Sequence, residues 1–412
     1  MAELQVRWHQ ATEEIPPEQW QALLATAGDG AVPFYGWPWL RELEASGSIV
    51  PSQGWQACHL GLWRDERLVA LAPLYLKGHS AGEFVFDQSF AQLAGRLGLR
   101  YYPKLVGMSP LSPVQGYRFL VAPEEDNAEL TRQMLTLIED FCHRNRLLSC
   151  NLLYADPSWR PVVEAAGWAP WINQQSQWSN PGHRDFEDYL AGFNANQRRN
   201  IRRERRAVAA AGLQVSPLVG EAIPPALVRR MHHFYAQHCS RWGPWGSKYL
   251  TEAFFRAAAT DPALRRHLVL FSAHRADPAE PLAMALCVRE EDNLWGRYWG
   301  SDVDLENLHF EVCYYAPIEW SIRQGIRRFD PGAGGSHKRR RGFVSQPRVS
   351  LHFWSDARFA AILRDWLPGA NAEMLAEIEA INAELPFSRT YDAPHAPDAN
   401  PGDRRGSLQA DH

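Results

Sequence analysis

Apolar and polar residues along the chain alternate in two rhythms, one of period two and one near 3.6, and the order of the two rhythms recurs. Trp55 to Trp63 (WQACHLGLW) and Arg67 to Lys77 (RLVALAPLYLK) flank a polar turn at Arg64-Asp65-Glu66, a pattern that predicts an antiparallel hairpin. A further strand is predicted over Gly116 to Val121. From Glu124 to Asn145, Leu130, Met134, Leu137, Ile138 and Phe141 recur at helical spacing, and the short strand LLSCNLLY follows. The second round begins with HLVLFSAH (His267 to His274) and PLAMALCVRE (Pro281 to Glu290), again hairpin-like. NLWGRYWGS then predicts a strand, His309 to Gln324 a helix, and IRRFDPG the end of another strand.

This recurrence of hairpin, helix and strand predicts two copies of one α/β unit. A boundary near Trp171 is expected, because WINQQSQWSNPGH is polar and broken by Asn-Pro-Gly. The expected division is residues 1–170, residues 171–385 with the active cleft, and a disordered tail over 386–412, where Pro, Asp and Ala accumulate without an apolar period.

Charge narrows the partners. Among 412 residues, 43 Lys and Arg nearly balance 47 Asp and Glu, so the molecule as a whole has no field that would draw it to DNA or an anionic membrane, and any anion binding must be local. The six cysteines are scattered without a CxxC pair and read as reduced core residues. The first residues show no basic and apolar leader pattern, and no apolar run is long enough to insert in a membrane, so a cytoplasmic chain is expected.

Three stretches carry candidate chemistry. In NANQRRNIRRERRAVAAAGL, Arg198, Arg199, Arg202, Arg203, Arg205 and Arg206 surround an apolar seam of Ile201 and Val208, and Gly212 is placed to stop the helix. This is either a solvated face or an arginine surface for phosphate or carboxylate, and one local acid, Glu204, against six arginines favours the surface. In FDPGAGGSHKRRRGF, Gly332, Gly334 and Gly335 can turn sharply and expose backbone N–H groups beside Lys338, Arg339 and Arg340, which makes an anion-binding turn. It fits neither the GxxxxGK[ST] loop nor a GxGxxG turn opening a helix. In WGRYWGSDVDLENLHFEVCYYAPIEW, His309, Glu311 and Tyr314 gather at a helix start, where Glu311 or His309 could serve as a base and a tyrosine as an acid. The bland alternative there is dipole complementation and a packed ring. HFE is half of a zinc-deaminase signature without its PCxxC partner, and no metal site is expected.

These blocks, together with LVALAPLYLKGHSAGEFVFDQSFAQLAGRLGLRYYPKL, resemble a family of N-acyltransferases in the GNAT superfamily, related to the FemAB-like peptidoglycan-modifying transferases, over roughly residues 50–385. The resemblance implies an α/β (α+β) fold of tandem GNAT-like domains, each a mixed, partly antiparallel sheet flanked by helices. It implies transfer of an acyl or aminoacyl group from acyl-CoA or aminoacyl-tRNA, used as co-substrate rather than tightly bound cofactor. The acceptor would be a small-molecule or peptide amine such as a cell-wall precursor, and tRNA would be a candidate partner. The alternative is a double-GNAT binding module that recognises an anionic precursor or polymer without catalysis. Relatives are expected to carry an acid just before the His-Lys pair, where this chain has Ser336, so the base would be Glu311, His309 or His337. Tyr298 and Trp299 would wall the cleft. Arg198, Arg199, Arg202 and Arg203 would add a second anion surface.

Overall fold

The computed structural model describes residues 3–27, 33–241, 247–388 and 391. Its strands, in chain order, are β1 (Leu4–His9), β2 (Trp55–Ala57), β3 (His59–Arg64), β4 (Arg67–Ala72), β5 (Tyr75–Lys77), β6 (Lys104–Gly107), β7 (Leu120–Val121) and β8 (Ser149–Leu152). They continue with β9 (Ala169–Ser179), β10 (Gln214–Val219), β11 (Leu268–His274), β12 (Ala283–Glu290), β13 (Asn293–Ser301), β14 (Arg328–Asp330) and β15 (Val344–Trp354). A small sheet has the order β1-β3-β4-β7, and a large one runs β10-β11-β12-β13-β14-β9-β15-β8-β6-β5-β2.

The first hairpin forms where the alternation predicts it, turning at Asp65 with φ 53° and pairing Arg64 with Arg67. Both of its arms break midway, at Cys58 and at Pro73-Leu74, where the Cys58 N–H donates to the Leu74 carbonyl at 2.8 Å. The arms therefore serve both sheets: β3 and β4 enter the small one, β2 and β5 the large one. The strand expected over 116–121 shrinks to two residues, because Tyr117 makes an isolated bridge to Ala155 instead. The second round follows the pattern closely, with β11, β12 and β13 consecutive and antiparallel.

The polar stretch around Trp171 is an 11-residue strand at the middle of the large sheet. β9 pairs along its length with β15, and β15 also pairs with β8, so the last strand among the described residues is inserted beside strands of the first half. The two halves also share apolar core: the rings of Phe34 and Trp295 lie 5.5 Å apart and those of Trp39 and Phe254 5.3 Å apart. Among the described residues the six cysteines are unpaired, and no helix is long and apolar enough to cross a membrane. Of the expected tail, Phe387 bridges to Phe193 and Tyr391 lies against His183; residues 392–412 are outside the described residues.

Candidate active site

β13 and β14 run parallel, and they pair over three rungs only, from Asn293 with Arg328 to Trp295 with Asp330. β14 then ends, whereas β13 continues to Ser301 against β12 alone. A bulge opposite Leu286 and Cys287 places Arg297 as the extra residue just past the parting point. Such an extra residue bends the strand and re-aims its side chain. The Arg297 guanidinium accordingly turns inward, over the Phe34 ring at 4.9 Å and 3.5 Å from Asp330.

Beyond this fork, Trp299 meets a cluster of rings: His309 at 4.6 Å, and from His309 both Tyr314 at 5.3 Å and His337 at 5.4 Å. The helix that supplies His309 and Tyr314 begins at Leu308 after Asn307 takes φ 66°, and passes through a π turn at Glu311–Tyr315 before continuing as Ala316–Arg323. The Tyr314 hydroxyl and His337 Nε2 are 2.9 Å apart. Burial raises the phenol well above its ordinary range, so Tyr314 keeps its proton and donates it to Nε2 when His337 carries its own proton on Nδ1. Burial, with the Arg341 and Lys338 charges adding, lowers His337 below the usual histidine value. Arg341 lies over the Phe310 ring at 3.4 Å and bonds to the His337 carbonyl and to Glu204.

Burial pushes His309 down to about 3, and the same cause brings His352, fully buried and bonded to Asn151, to about 3. Both rings stay neutral in the folded chain while an unfolded chain would protonate them. Stability should therefore fall as pH drops from about 6.5 toward 3, each ring contributing a slope of up to about 1.4 kcal/mol per pH unit. Urea midpoints measured across that window should decline less steeply in His352→Asn than in the parent; equal slopes would contradict the assignment.

The structure brings His309, Tyr314 and His337 together and carries Glu311 elsewhere. Two positions along, on a helix locally widened by the π turn, Glu311 faces the opposite way. It receives Arg205, whose Nη2 is 2.9 Å from Glu311 and 2.7 Å from Glu319. Burial raises the Glu311 carboxyl and the Arg205 contact opposes it. This pair borders a separate cavity of about 550 Å³ between the arginine helix (Ala195–Ala210) and β10.

That helix has the expected seam, with Ile201 and Val208 buried and Asn194 capping through the Gln197 N–H. Its charge balance differs from the local count, because its carboxylate partners come from distant segments: Glu187 for Arg202, Glu311 and Glu319 for Arg205. Glu204 is spent on Arg341. Arg198 bonds to the Phe193 carbonyl, and Arg199 and Arg203 are exposed.

In the glycine turn, Gly332, Gly334 and Gly335 have φ of 83°, 68° and 87°. Gly332 donates its N–H to Asp330 at 2.7 Å. Lys338 points into the protein rather than out of it: its ammonium donates to the Gly332 and Ala333 carbonyls at 2.6 and 3.2 Å and staples the turn from beneath. Arg339 pairs with Glu384, and Arg340 is exposed. Tyr298, one position before Trp299 on a strand, faces the other side of the sheet, against Tyr235 and Phe255.

A second cavity, of about 360 Å³, lies between the two halves, with Phe84, Phe86 and Tyr154 on one side and residues 333–336 on the other. Arg348, which sequence reasoning missed, lines this cavity and a neighbouring one of about 480 Å³ that also has Gln177, Gln346, Asp156 and Asp330 in its wall. The signal was available as an alternation: Asn173, Gln175 and Gln177 on β9, and Gln346 and Arg348 on β15, share one sheet face. The Phe84 loop is tied down by Lys104, buried and bonded to Glu83 at 2.7 Å and Asp87 at 2.5 Å.

Fold and site together define a class first, a mixed α/β protein with two helix-flanked sheets and an aromatic, histidine-lined fork between parallel strands. The profile of the FemAB-like family, described as peptidoglycan biosynthesis/recognition, matches residues 11–389, and the chain belongs to that family. No curated protein matches it. Among solved structures it is similar to FemX, with a TM-score of 0.51 and 10% identity over 88% of this chain and 100% of that one. It is also similar to a tandem GNAT protein from the clavulanic acid biosynthesis pathway (TM-score 0.45, 12% identity, 86% and 99% covered). A third likeness is L-PGS from Bacillus licheniformis (TM-score 0.48, 9% identity, 87% and 97% covered). At these identities the FemX likeness establishes a shared fold, and it bears out the α/β class expected from the sequence.

Proposed function

We propose that the chain is an N-acyltransferase that moves an acyl or aminoacyl group from a CoA- or tRNA-linked donor to an amine. The observation that supports this most is the parting of β13 from β14 next to the Tyr314–His337 pair. Among the described residues no strand pairs with the β14 side of β13 beyond Trp295, so its N–H groups are the candidate donors to a carbonyl oxygen. Fixed donors there would stabilise the negative charge of the tetrahedral intermediate, each worth roughly 3 to 4 kcal/mol.

The proton chemistry follows from the pair's hydrogen bond. As the amine attacks the acyl carbon, its proton goes to the Tyr314 oxygen while the phenol proton passes to His337 Nε2. When the intermediate collapses, the same relay runs in reverse and protonates the departing thiolate or ribose oxygen. The neighbouring Arg341 and Lys338 charges disfavour a lasting imidazolium, which suits a group that must give the proton back. His337 must start neutral, so the acid limb of kcat/KM should lie below pH 6.5.

Product mass spectrometry tests the reading: the purified chain is incubated with acyl-CoA or aminoacyl-tRNA and a panel of amines. Formation of an amide is expected. Consumption of neither donor would instead leave a binding module. Gly335→Ala sharpens the test, because a Cβ there would stand 2.7 Å from the His337 ring at a φ of 87°. The ring must shift, and transfer should fall roughly 10- to 100-fold.

A further inference from the structure

We propose that the cavity between the two halves recognises a carboxylate on the acceptor, with Arg348 as its anchor, and that the acceptor is an amino acid or short peptide with a free carboxylate. This rests on the transferase reading and adds the class of acceptor.

The charge count is the first ground. Arg297, Lys338 and Arg348 are all buried around the fork. The acid that feels them is Asp330, 3.5 Å from Arg297 and electrostatically coupled to Lys338 and Arg348. Asp156 lines another cavity together with Arg348 and Asp330, its Oδ1 accepting from Ser158 and the Trp159 N–H, and it makes no ion pair with Arg348 among the described residues. Among the described residues the one ion pair these three cations make is that of Arg297 with Asp330. Arg348 itself is bonded only to neutral oxygens, those of Gln175 at 3.0 Å, Gln177 at 2.9 Å, Gln346 at 3.1 Å and the Pro347 carbonyl at 3.2 Å. Among the described residues no carboxylate comes within ion-pair distance of it. Amides solvate a guanidinium without neutralising it, and a buried unmatched cation is costly. A carboxylate arriving on Arg348 restores the balance.

The second ground is the shape of the cavity. Toward β14, β9 pairs only through Trp178 and Ser179, so over residues 173–176 its edge faces the glycine turn without a partner strand. An extended peptide can add to such an edge through main-chain hydrogen bonds. Phe84 and Phe86 offer an apolar wall for its side chain, and Phe86 is 73% exposed. Arg348, Gln175 and the turn converge where its carboxylate would end. Ala333 to Ser336 line the cavity, and His337 is the next residue along the turn.

Calorimetric titration of the full chain at low salt, with no acyl donor present, tests the site. The probes are alanylalanine, its C-terminal amide and inorganic phosphate. The free acid should bind roughly 30-fold or more tightly than the amide, the scale of losing one partner of a buried charge pair. Arg348→Gln should erase that difference. The acid-against-amide comparison is made on the unaltered chain, so it stands even if Arg348→Gln fails to fold. Equal binding of acid and amide, binding of neither, or a preference for phosphate would each overturn the proposal. Because the titration contains no donor, that failure would leave the transferase reading intact. A chain that binds the acid yet transfers no acyl group would keep this site and lose that reading.

Discussion

His337→Asn protein should fold normally and transfer acyl groups about 10²- to 10⁴-fold more slowly than the parent, the usual worth of a positioned acid or base. Asparagine retains polarity in a half-buried position, so the circular dichroism spectrum and thermal midpoint should stay near those of the parent. Tyr314→Phe should show a loss of similar size, because it removes the oxygen through which the amine proton passes. The double variant should be little worse than either single one, since the two groups act as one relay. The loss should appear mainly in kcat, as neither group is asked to bind substrate. Full activity in Tyr314→Phe would move the chemistry away from this pair and back to His309 or Glu311. Glu311→Gln is the control: its bidentate contact with Arg205 faces another cavity, so the variant should change stability more than kcat.

Lys104→Met should be the most destabilising of the substitutions considered, by about 3 to 5 kcal/mol. Lys104 is wholly buried, and its ammonium holds Glu83, Asp87 and Ser80 together. Burial pushes Glu83 up to about 7, and the lysine keeps it from rising further. For Asp87 burial acts in the same direction, yet the Lys104 contact outweighs it and leaves the carboxyl below its ordinary value. Removing the lysine strands two acids in the core. Lys104→Met combined with Glu83→Gln and Asp87→Asn should recover much of the loss, because the remaining groups are then neutral. Urea unfolding of the single and triple variants measures both. The loop between those acids carries Phe84 and Phe86 into the inter-half cavity, so Lys104→Met should also weaken any ligand held there. A single variant as stable as the parent would show that the ammonium is dispensable.

Which of the candidate residues lie together could be read in part from residue order, and the misplacements have specific causes. His309, Tyr314 and His337 were legible because a polar helix start and a glycine turn are local signals. Glu311 was drawn into the same group because two helix positions look adjacent in a string. The arginine helix looked unneutralised because Glu187, Glu311 and Glu319 lie outside its own sequence window. Lys338 looked like an exposed cation because its neighbours are glycines and arginines; only the fold of the turn sends its ammonium back to the Gly332 carbonyl.

What the sequence determined by itself was whatever depends on neighbours within a few residues. The hairpin at Asp65, the strands β11 to β13, the helix that Gly212 ends and the sharp turn at Gly332 to Gly335 all follow from alternation, helical spacing and the backbone freedom of glycine. The tertiary structure decided everything that needs segments far apart in the chain. It set β9 between β14 and β15, although its amides and serines resemble a linker, because one of its faces closes over Arg348 and its backbone is satisfied by β15. It also chose partners for the buried charges. Coulomb attraction and desolvation depend on distance in space, and the separations of Lys104 from Glu83, Arg205 from Glu311 and Arg341 from Glu204 exist only once the chain is packed.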